Sequence, residues 1–168
     1  MDVFVFKGRS NYNMLKELER FRIDVWSRII LPNIAGQRFG LDSFDMFAWH
    51  VVVADKGRIL GSARLIIADS FLDIPDMCSF NPYIKQMHYP VAFMNRLVVG
   101  EQYRSNGVGK RLNRKRDELV VLSHAHEVWI EAEKNRHVSL LQNNYRHIGP
   151  SADESVDGDW SIYCKKMN

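Results

Sequence analysis

Apolar positions along this chain change period several times, and each change marks an element. Val3 to Phe6 alternate weakly and predict a short first strand. Leu15, Leu18, Phe21, Arg22, Val25, Trp26, Ile29 and Ile30 then recur at helical spacing, with Asn11 or Asn13 placed to cap the helix and Pro32 to end it. Residues 32–47 are rich in Gly, Asn and Asp and read as a loop, with a short helix around Ser43 to Met46. Trp49 to Ala54 is a β-branched run, Asp55-Lys56-Gly57-Arg58 is a turn, and Ile59 to Ile67, interrupted by Gly61, completes a hairpin. Residues 69–90 hold Pro75, Pro82 and Pro90 with little periodicity, an excursion of the length that often carries function. Phe93 to Val99 predicts a central strand, followed by a glycine turn and a helix to about His124 whose apolar face is Leu112, Leu119, Val120 and Leu122. Val128 to Ala132 is a further strand, Ser139 to His147 a short helix with Gly149 as its stop, and Asp159 to Lys166 the last strand. Strands and helices interleaved in this order, without an internal repeat, predict a single domain over residues 1–168 with a mixed sheet flanked by helices, an α/β (α+β) fold.

Composition narrows the class without naming a function. A chain of 168 residues can bury one sizeable core, and 46% apolar with 26% charged residues is ordinary for a soluble globular protein. No apolar stretch approaches the roughly 18 residues of a membrane span. Met1 to Lys7 is too short, and acidic at Asp2, for a signal peptide, so a cytoplasmic location is expected. Cys78 and Cys164 belong to no CxxC or Cys/His cluster, so reduced thiols and no metal site are expected. The net charge is only +3, yet Arg104, Lys110, Arg111, Arg114, Lys115 and Arg116 crowd one segment. That segment reads as a solvated helix face, as a seat for an anion or, in third place, as a nucleic-acid contact.

The densest chemistry lies in Arg104-Ser105-Asn106-Gly107-Val108-Gly109, between the strand ending at Val99 and the helix that follows. Gly107 and Gly109 carry no Cβ, so backbone can approach a ligand closely. The first N–H groups of a helix lack intrahelical partners and sit at the positive end of its dipole, which suits a phosphate or pyrophosphate. Lys110 and Arg111 are disfavoured there unless an anion compensates them. The spacing fits neither the G-x-x-x-x-G-K-S/T loop nor G-x-G-x-x-G. Two glycines near a basic residue also occur in ordinary surface turns.

The hexapeptide resembles the Q/R-x-x-G-x-G/A cofactor motif of the GNAT superfamily of acyl-CoA-dependent N-acyltransferases. Arg96-Leu97-Val98-Val99 before it and Lys110-Arg111-Leu112 after it extend the resemblance, which covers about residues 47–165. It implies a mixed, mostly antiparallel central sheet with helices on both faces, and acetyl-CoA as co-substrate with no metal. The amides of Gly107, Val108, Gly109 and Lys110 would hold the pyrophosphate, with Arg104, Ser105, Asn106 and Arg111 shaping or charging the turn. The pantetheine arm would pair with backbone at Leu97, Val98 and Val99, whose side chains also read as ordinary strand core. Asn135, or Ser139 in competition with it, would touch the same arm.

A second stretch, Asn144-Tyr145-Arg146-His147-Ile148-Gly149, resembles the family's tyrosine-containing helix end, with Pro150 where an aromatic is usual. That implies Tyr145 as the acid protonating the departing thiolate, and a phenol with pKa near 10 keeps its proton at neutral pH. Packing of Tyr145 on a helix surface is the plainer reading. The central strand offers Asn95 and Arg96 where many members place a glutamate. Glu131, on a strand face shared with Trp129 and Glu133, is the candidate base, with Glu133, Glu101, His50 and His88 as alternatives. A neutral amine would attack the thioester directly.

Two other functions remain open. Arg38-Phe39-Gly40-Leu41-Asp42-Ser43-Phe44-Asp45 and Gly61-Ser62-Ala63-Arg64-Leu65 resemble acyl-homoserine-lactone synthases and N-acyl amino acid synthases, which implies a long-chain donor, acyl carrier protein included. The plainer alternative is that Asp42 and Asp45 cap a short helix and Arg64 pairs with one of them. A CoA-binding module without catalysis would also suit the missing strand glutamate. The acceptor, a small-molecule or peptide amine, is unspecified, although Asp42, Asp45, Asp69, Asp73 and Asp76 would attract a cation. Oligomeric state, a homodimer included, is open.

Overall fold

A computed structural model of the chain describes residues 1–28, 36, 39–153 and 159–167. Its elements are β1 (Asp2–Lys7), α1 (Tyr12–Trp26), β2 (Trp49–Asp55), β3 (Arg58–Ala68), α2 (Met77–Phe80), β4 (Val91–Val99), α3 (Val108–Leu122), β5 (Glu127–Glu133), α4 (His137–Gln142), β6 (Arg146–Pro150) and β7 (Trp160–Lys166). The strands join in the order β1-β2-β3-β4-β5-β7-β6. Pairs β1–β2, β2–β3, β5–β7 and β6–β7 are antiparallel, and β4–β5 is parallel. The expected mixed, mostly antiparallel sheet is therefore present. The chain divides into two compact units, Met1–Ile66 with Arg96–Glu118, and Ile67–Asn95 with Leu119–Asn168.

In the first unit, Asn11 caps α1, its Oδ1 accepting from the Met14 amide at 3.2 Å. Leu15, Leu18, Arg22 and Val25 form the buried face of that helix. The stop expected at Pro32, with Ile29 and Ile30, lies outside the described residues. The β2–β3 hairpin forms as its β-branched pattern requires, burying Val51, Val52, Val53, Ala63 and Leu65. Gly61 has a specific task in it. A Cβ there would meet Val108 Cγ1 at 2.7 Å and Leu112 Cδ1 at 3.1 Å, so bare backbone lets the first turns of α3 sit against β3.

In the second unit, the proline-bearing excursion is folded into short helical turns, Phe71–Asp73, α2 and Asn81–Gln86. β4 and β5 pair over Val91↔Glu127 to Phe93↔Trp129, and Val91, Ala92, Phe93, Val128, Trp129, Ile162 and Tyr163 are buried. The helix expected over Ser139 to His147 is corrected: α4 ends at Gln142, and residues 146–150 are a strand. The stop is Asn144, in the left-handed region at φ +65°, and not Gly149. Tyr145 N donates to Leu140 O at 3.0 Å and Asn144 N to Leu141 O at 3.1 Å, the paired bonds of a Schellman cap. Gly149 instead pairs with Ile162 on β7.

Candidate functional site

The turn after β4 is set by its backbone dihedrals. Ser105 (φ +63°) and Gly107 (φ +76°) both take left-handed steps, a pattern that gathers successive amides into a concavity. A Cβ on Gly107 would meet nothing within 4 Å, so its dihedral, not crowding, calls for glycine. At Gly109 a Cβ would meet only Val99 Cγ2, at 3.9 Å. The protein itself has room for a side chain there, and only a ligand would feel it. α3 starts at Val108, Arg111 N donates to Gly107 O at 3.0 Å, and the amides ahead of Arg111 are the orphan donors of the first turn. Asn106, Lys110 and Arg111 are exposed, and Val108 is buried.

A cavity of about 230 Å³ adjoins this turn, lined by Val25, Trp26, Leu97, Val98, Val99 and Arg104. The structure thus brings together four of the expected cofactor residues, Leu97, Val98, Val99 and Arg104. The wall from α1 has no signal of its own in the sequence, where Val25 and Trp26 read only as one apolar helix face. The indole of Trp26 lies flat on Phe39, with ring centroids 4.2 Å apart and planes 1° from parallel.

Beside that wall, β4 steps into the left-handed region at Arg96 (φ +51°), and a partly buried ion network holds the step. Arg96 donates to Asp42 Oδ2 at 2.8 Å and to the carbonyls of Phe39 and Gly40. Arg64 donates to Asp42 Oδ1 at 2.7 Å and pairs with Asp45 Oδ2 at 3.2 Å. Arg22 donates to Asp45 Oδ1 at 2.9 Å and to His50 Nδ1 at 3.1 Å, while His50 Nε2 lies 2.8 Å from the Asp45 carbonyl. A guanidinium only donates and a carbonyl only accepts, so His50 carries its proton on Nε2. Burial pushes His50 down to about 4, so it is neutral at pH 7. Burial alone would raise the Asp45 carboxyl, but Arg64, Arg22 and Arg96 outweigh it and hold it well below the usual carboxylate range. Asp42 and Asp45 also form a capping box on Ser43–Met46. The plainer sequence alternative therefore describes these residues: the two acids cap a short helix, and Arg64 pairs with both. Neither the acids nor fully buried His50 stand free to meet an acceptor or serve as a base.

In the second unit the Schellman cap sets Tyr145. Its ring packs with Ile130 against Ala132, Leu140 and Tyr163, and its hydroxyl reaches Met94 Sδ on β4 at 3.8 Å. Ile130 and Ala132 share that face of β5, so alternation puts Glu131 on the other face. There Glu131 accepts from the Ser151 hydroxyl. Tyr145 and Glu131 are therefore not brought together. Asn135 and Ser139 are exposed, and Asn135 donates to Glu133 at 2.6 Å. His88 is 72% exposed and lies 3.1 Å from buried Glu127, which also accepts from Trp129 Nε1. Burial and nearby Glu127 push the Cys164 thiol up to about 12, which keeps it inert.

Residues 22–114, from the buried network through the glycine turn, match the sequence model of the acetyltransferase (GNAT) domain. The chain belongs to that family. No curated protein matches it. Among solved structures, this GNAT-domain protein is similar to BjaI, a CoA-dependent acyl-homoserine lactone synthase solved with SAM and isopentyl-CoA, with a TM-score of 0.73 and 14% identity over 99% of this chain and 83% of that one. An acyl-CoA N-acyltransferase from Pseudomonas aeruginosa has a TM-score of 0.68 and 13% identity, covering 98% of both chains. FeeM, an N-acyl amino acid synthase from uncultured soil microbes, has a TM-score of 0.68 and 10% identity over 98% of this chain and 90% of that one. At such identities the likenesses establish the fold alone. No helix among the described residues of this GNAT-domain protein is long and apolar enough to cross a membrane.

Proposed function

We propose that this GNAT-domain protein transfers an acetyl group from acetyl-CoA to a primary amine by direct attack. One observation carries the reading: the turn of left-handed steps at Ser105 and Gly107 shares Arg104 with the cavity lined by Leu97, Val98 and Val99. The pyrophosphate sits on the amides of Gly107 to Lys110, with Arg104 and Arg111 adding charge, and the pantetheine arm follows Leu97 to Val99. The family resemblance also assigns Asn135 or Ser139, both exposed, to the same arm. A left-handed residue inside a strand interrupts the pleat, and the amide of Leu97 or Val98 beside Arg96 is the donor assigned to the thioester oxygen.

A neutral amine forms the new N–C bond as the C–S bond breaks. The thiolate takes the Tyr145 phenolic proton, and the proton lost from the attacking nitrogen is carried by water, which returns one to Tyr145. Glu131 is not assigned the base, since it sits on the far face of β5 from Tyr145 and is held by Ser151. Orientation and preorganised donors supply the rate.

A second reading, a long-chain donor, draws on the Asp42–Arg64–Arg96 network, built from the stretch that resembles acyl-homoserine-lactone synthases. Thiol release from acetyl-, hexanoyl- and dodecanoyl-CoA across an amine panel, with CoA binding by calorimetry, separates the readings. Turnover that rises with chain length favours the second reading. CoA binding without turnover on any amine leaves a binding module. Absence of CoA binding overturns the donor assignment.

A further inference from the structure

Tyr145 lies directly across from Lys165 in the register of β6 and β7. Arg146 pairs with Cys164 and His147 with Tyr163, and one step back along both strands sets Tyr145 against Lys165. The Lys165 ammonium stands over the face of the Tyr145 ring, 5.7 Å from its centroid, within the range of a cation–π contact. Both side chains are half-buried and belong to the same compact unit. We infer that Lys165 is a positioning residue of the acyl transfer, holding a positive charge over the phenol that protonates the leaving thiolate. The inference rests on the proposed acid role of Tyr145 and names the group that tunes it.

The contact strengthens as the reaction proceeds. A neutral phenol offers a cation only the quadrupole of its ring, whereas a phenolate adds a full negative charge spread into that ring. As the C–S bond breaks, the thiolate takes the phenolic proton, and Tyr145 is left as phenolate until water returns a proton. An interaction stronger in the transition state than in the ground state accelerates the step. A cation already fixed over the ring costs no reorganisation when that charge develops.

The other described groups around Tyr145 do not duplicate that charge. β5 and α4 present Ile130, Ala132 and Leu140, which are apolar, and β4 presents Met94, whose sulfur meets the Tyr145 hydroxyl at 3.8 Å. On β7, the Tyr163 hydroxyl lies 3.2 Å from His137 Nδ1, and His137 packs edge-on against His147 of β6. An imidazole is neutral over the alkaline range in which a phenol titrates. Arg146, Lys166 and Glu127 lie near Cys164, which alternation places on the other face of the sheet from Tyr163 and Lys165. Glu131 is on that other face as well, with Ser151.

The test labels the tyrosines with carbon-13 at Cζ and follows their resonances from neutral to alkaline pH, with Tyr145→Phe assigning the signal. In Lys165→Met, which keeps the apolar stem and deletes the charge, Tyr145 should titrate about half a pH unit higher than in the wild type. In Lys165→Arg, whose charge persists through the whole range, it should titrate at or below the wild-type midpoint. Thiol release from acetyl-CoA with the amine panel should show kcat about 3-fold lower in Lys165→Met and restored in Lys165→Arg, with CoA affinity unchanged by calorimetry. An unmoved phenol titration in Lys165→Met, or a Lys165→Arg protein that behaves like Lys165→Met, would overturn the inference and leave the acid role of Tyr145 standing. Full turnover in Tyr145→Phe would instead sink that acid role, and the inference with it.

Discussion

Arg96 reaches Asp42 Oδ2 at 2.8 Å from a backbone that has turned left-handed, at φ +51°, within β4. A non-glycine residue in that region costs about 1–3 kcal/mol, and it persists only where its surroundings hold it. Here the hold is Asp42, itself fastened by Arg64, with Asp45 and Arg22 behind them. The network is therefore the support of the strand step that the thioester is proposed to use.

Breaking the centre of that support should be costly. Asp45→Ala leaves Arg22 and Arg64 buried without their shared carboxylate, and it should destabilise the fold by about 3–5 kcal/mol in urea titrations. Arg96→Ala, at the edge of the network, should cost less stability but lower kcat at least about 10-fold, since the strand step loses its anchor. Full activity in a folded Arg96→Ala protein would separate the network from catalysis.

His50 gives stability a defined pH dependence. Its folded value, about 4, lies below the ordinary histidine value, so the unfolded chain binds a proton first as pH falls. The contribution is complete above about pH 6.5 and is lost progressively between there and pH 4. Between pH 7 and 5 the wild type should lose about 2 kcal/mol more unfolding free energy than His50→Gln. Asp45, held low, adds its own loss only below the ordinary carboxylate value. Parallel stability–pH curves for the two proteins would contradict the buried neutral imidazole.

The two turn glycines should fail differently. Gly107→Ala meets no atom but forces a Cβ into the left-handed region, so it should lower stability by about 1 kcal/mol. Gly109→Ala meets only Val99 at 3.9 Å, so melting temperature should hold or rise while acetyl-CoA affinity falls about 10-fold. Undiminished affinity in Gly109→Ala would remove the pyrophosphate from this turn.

Tyr145→Phe keeps the ring in its cluster and deletes only the hydroxyl near Met94. Turnover should fall about 100-fold with CoA affinity within about 2-fold of wild type, as expected for an acid acting on the leaving group. Asn144→Ala should lower stability by about 1 kcal/mol by straining the Schellman cap that places Tyr145. Wild-type turnover in Tyr145→Phe would return the tyrosine to packing.

Local chemistry made much of this legible. The β2–β3 hairpin, the Asn11 cap, the short helix at Ser43–Met46 and the strand–turn–helix around Gly107 all rest on contacts a few residues apart. The error at residues 139–149 has an equally local cause. Gly149 has the chemistry of a helix stop, but Asn144 tolerates the left-handed step and stops the helix earlier, which frees residues 146–150 to pair with β7. That pairing is a long-range choice, and no local signal marks it.

The sequence by itself determined the strand–turn–helix that the donor is proposed to use: glycine spacing, basic flanks and the strand before them follow from neighbouring residues, as does the family they resemble. Tertiary structure decided what each acid and base is free to do. Asp42, Asp45, Arg64 and His50 look like candidate chemistry in the chain, and folding pairs them with one another around buried Asp45 and Arg64. Glu131 and Tyr145 are separated by the two faces of one strand, and Val25 and Trp26 become a cavity wall. The reason is physical: periodicity reports which side of an element is apolar, but a charge's role depends on its partners, and those come from distant parts of the chain.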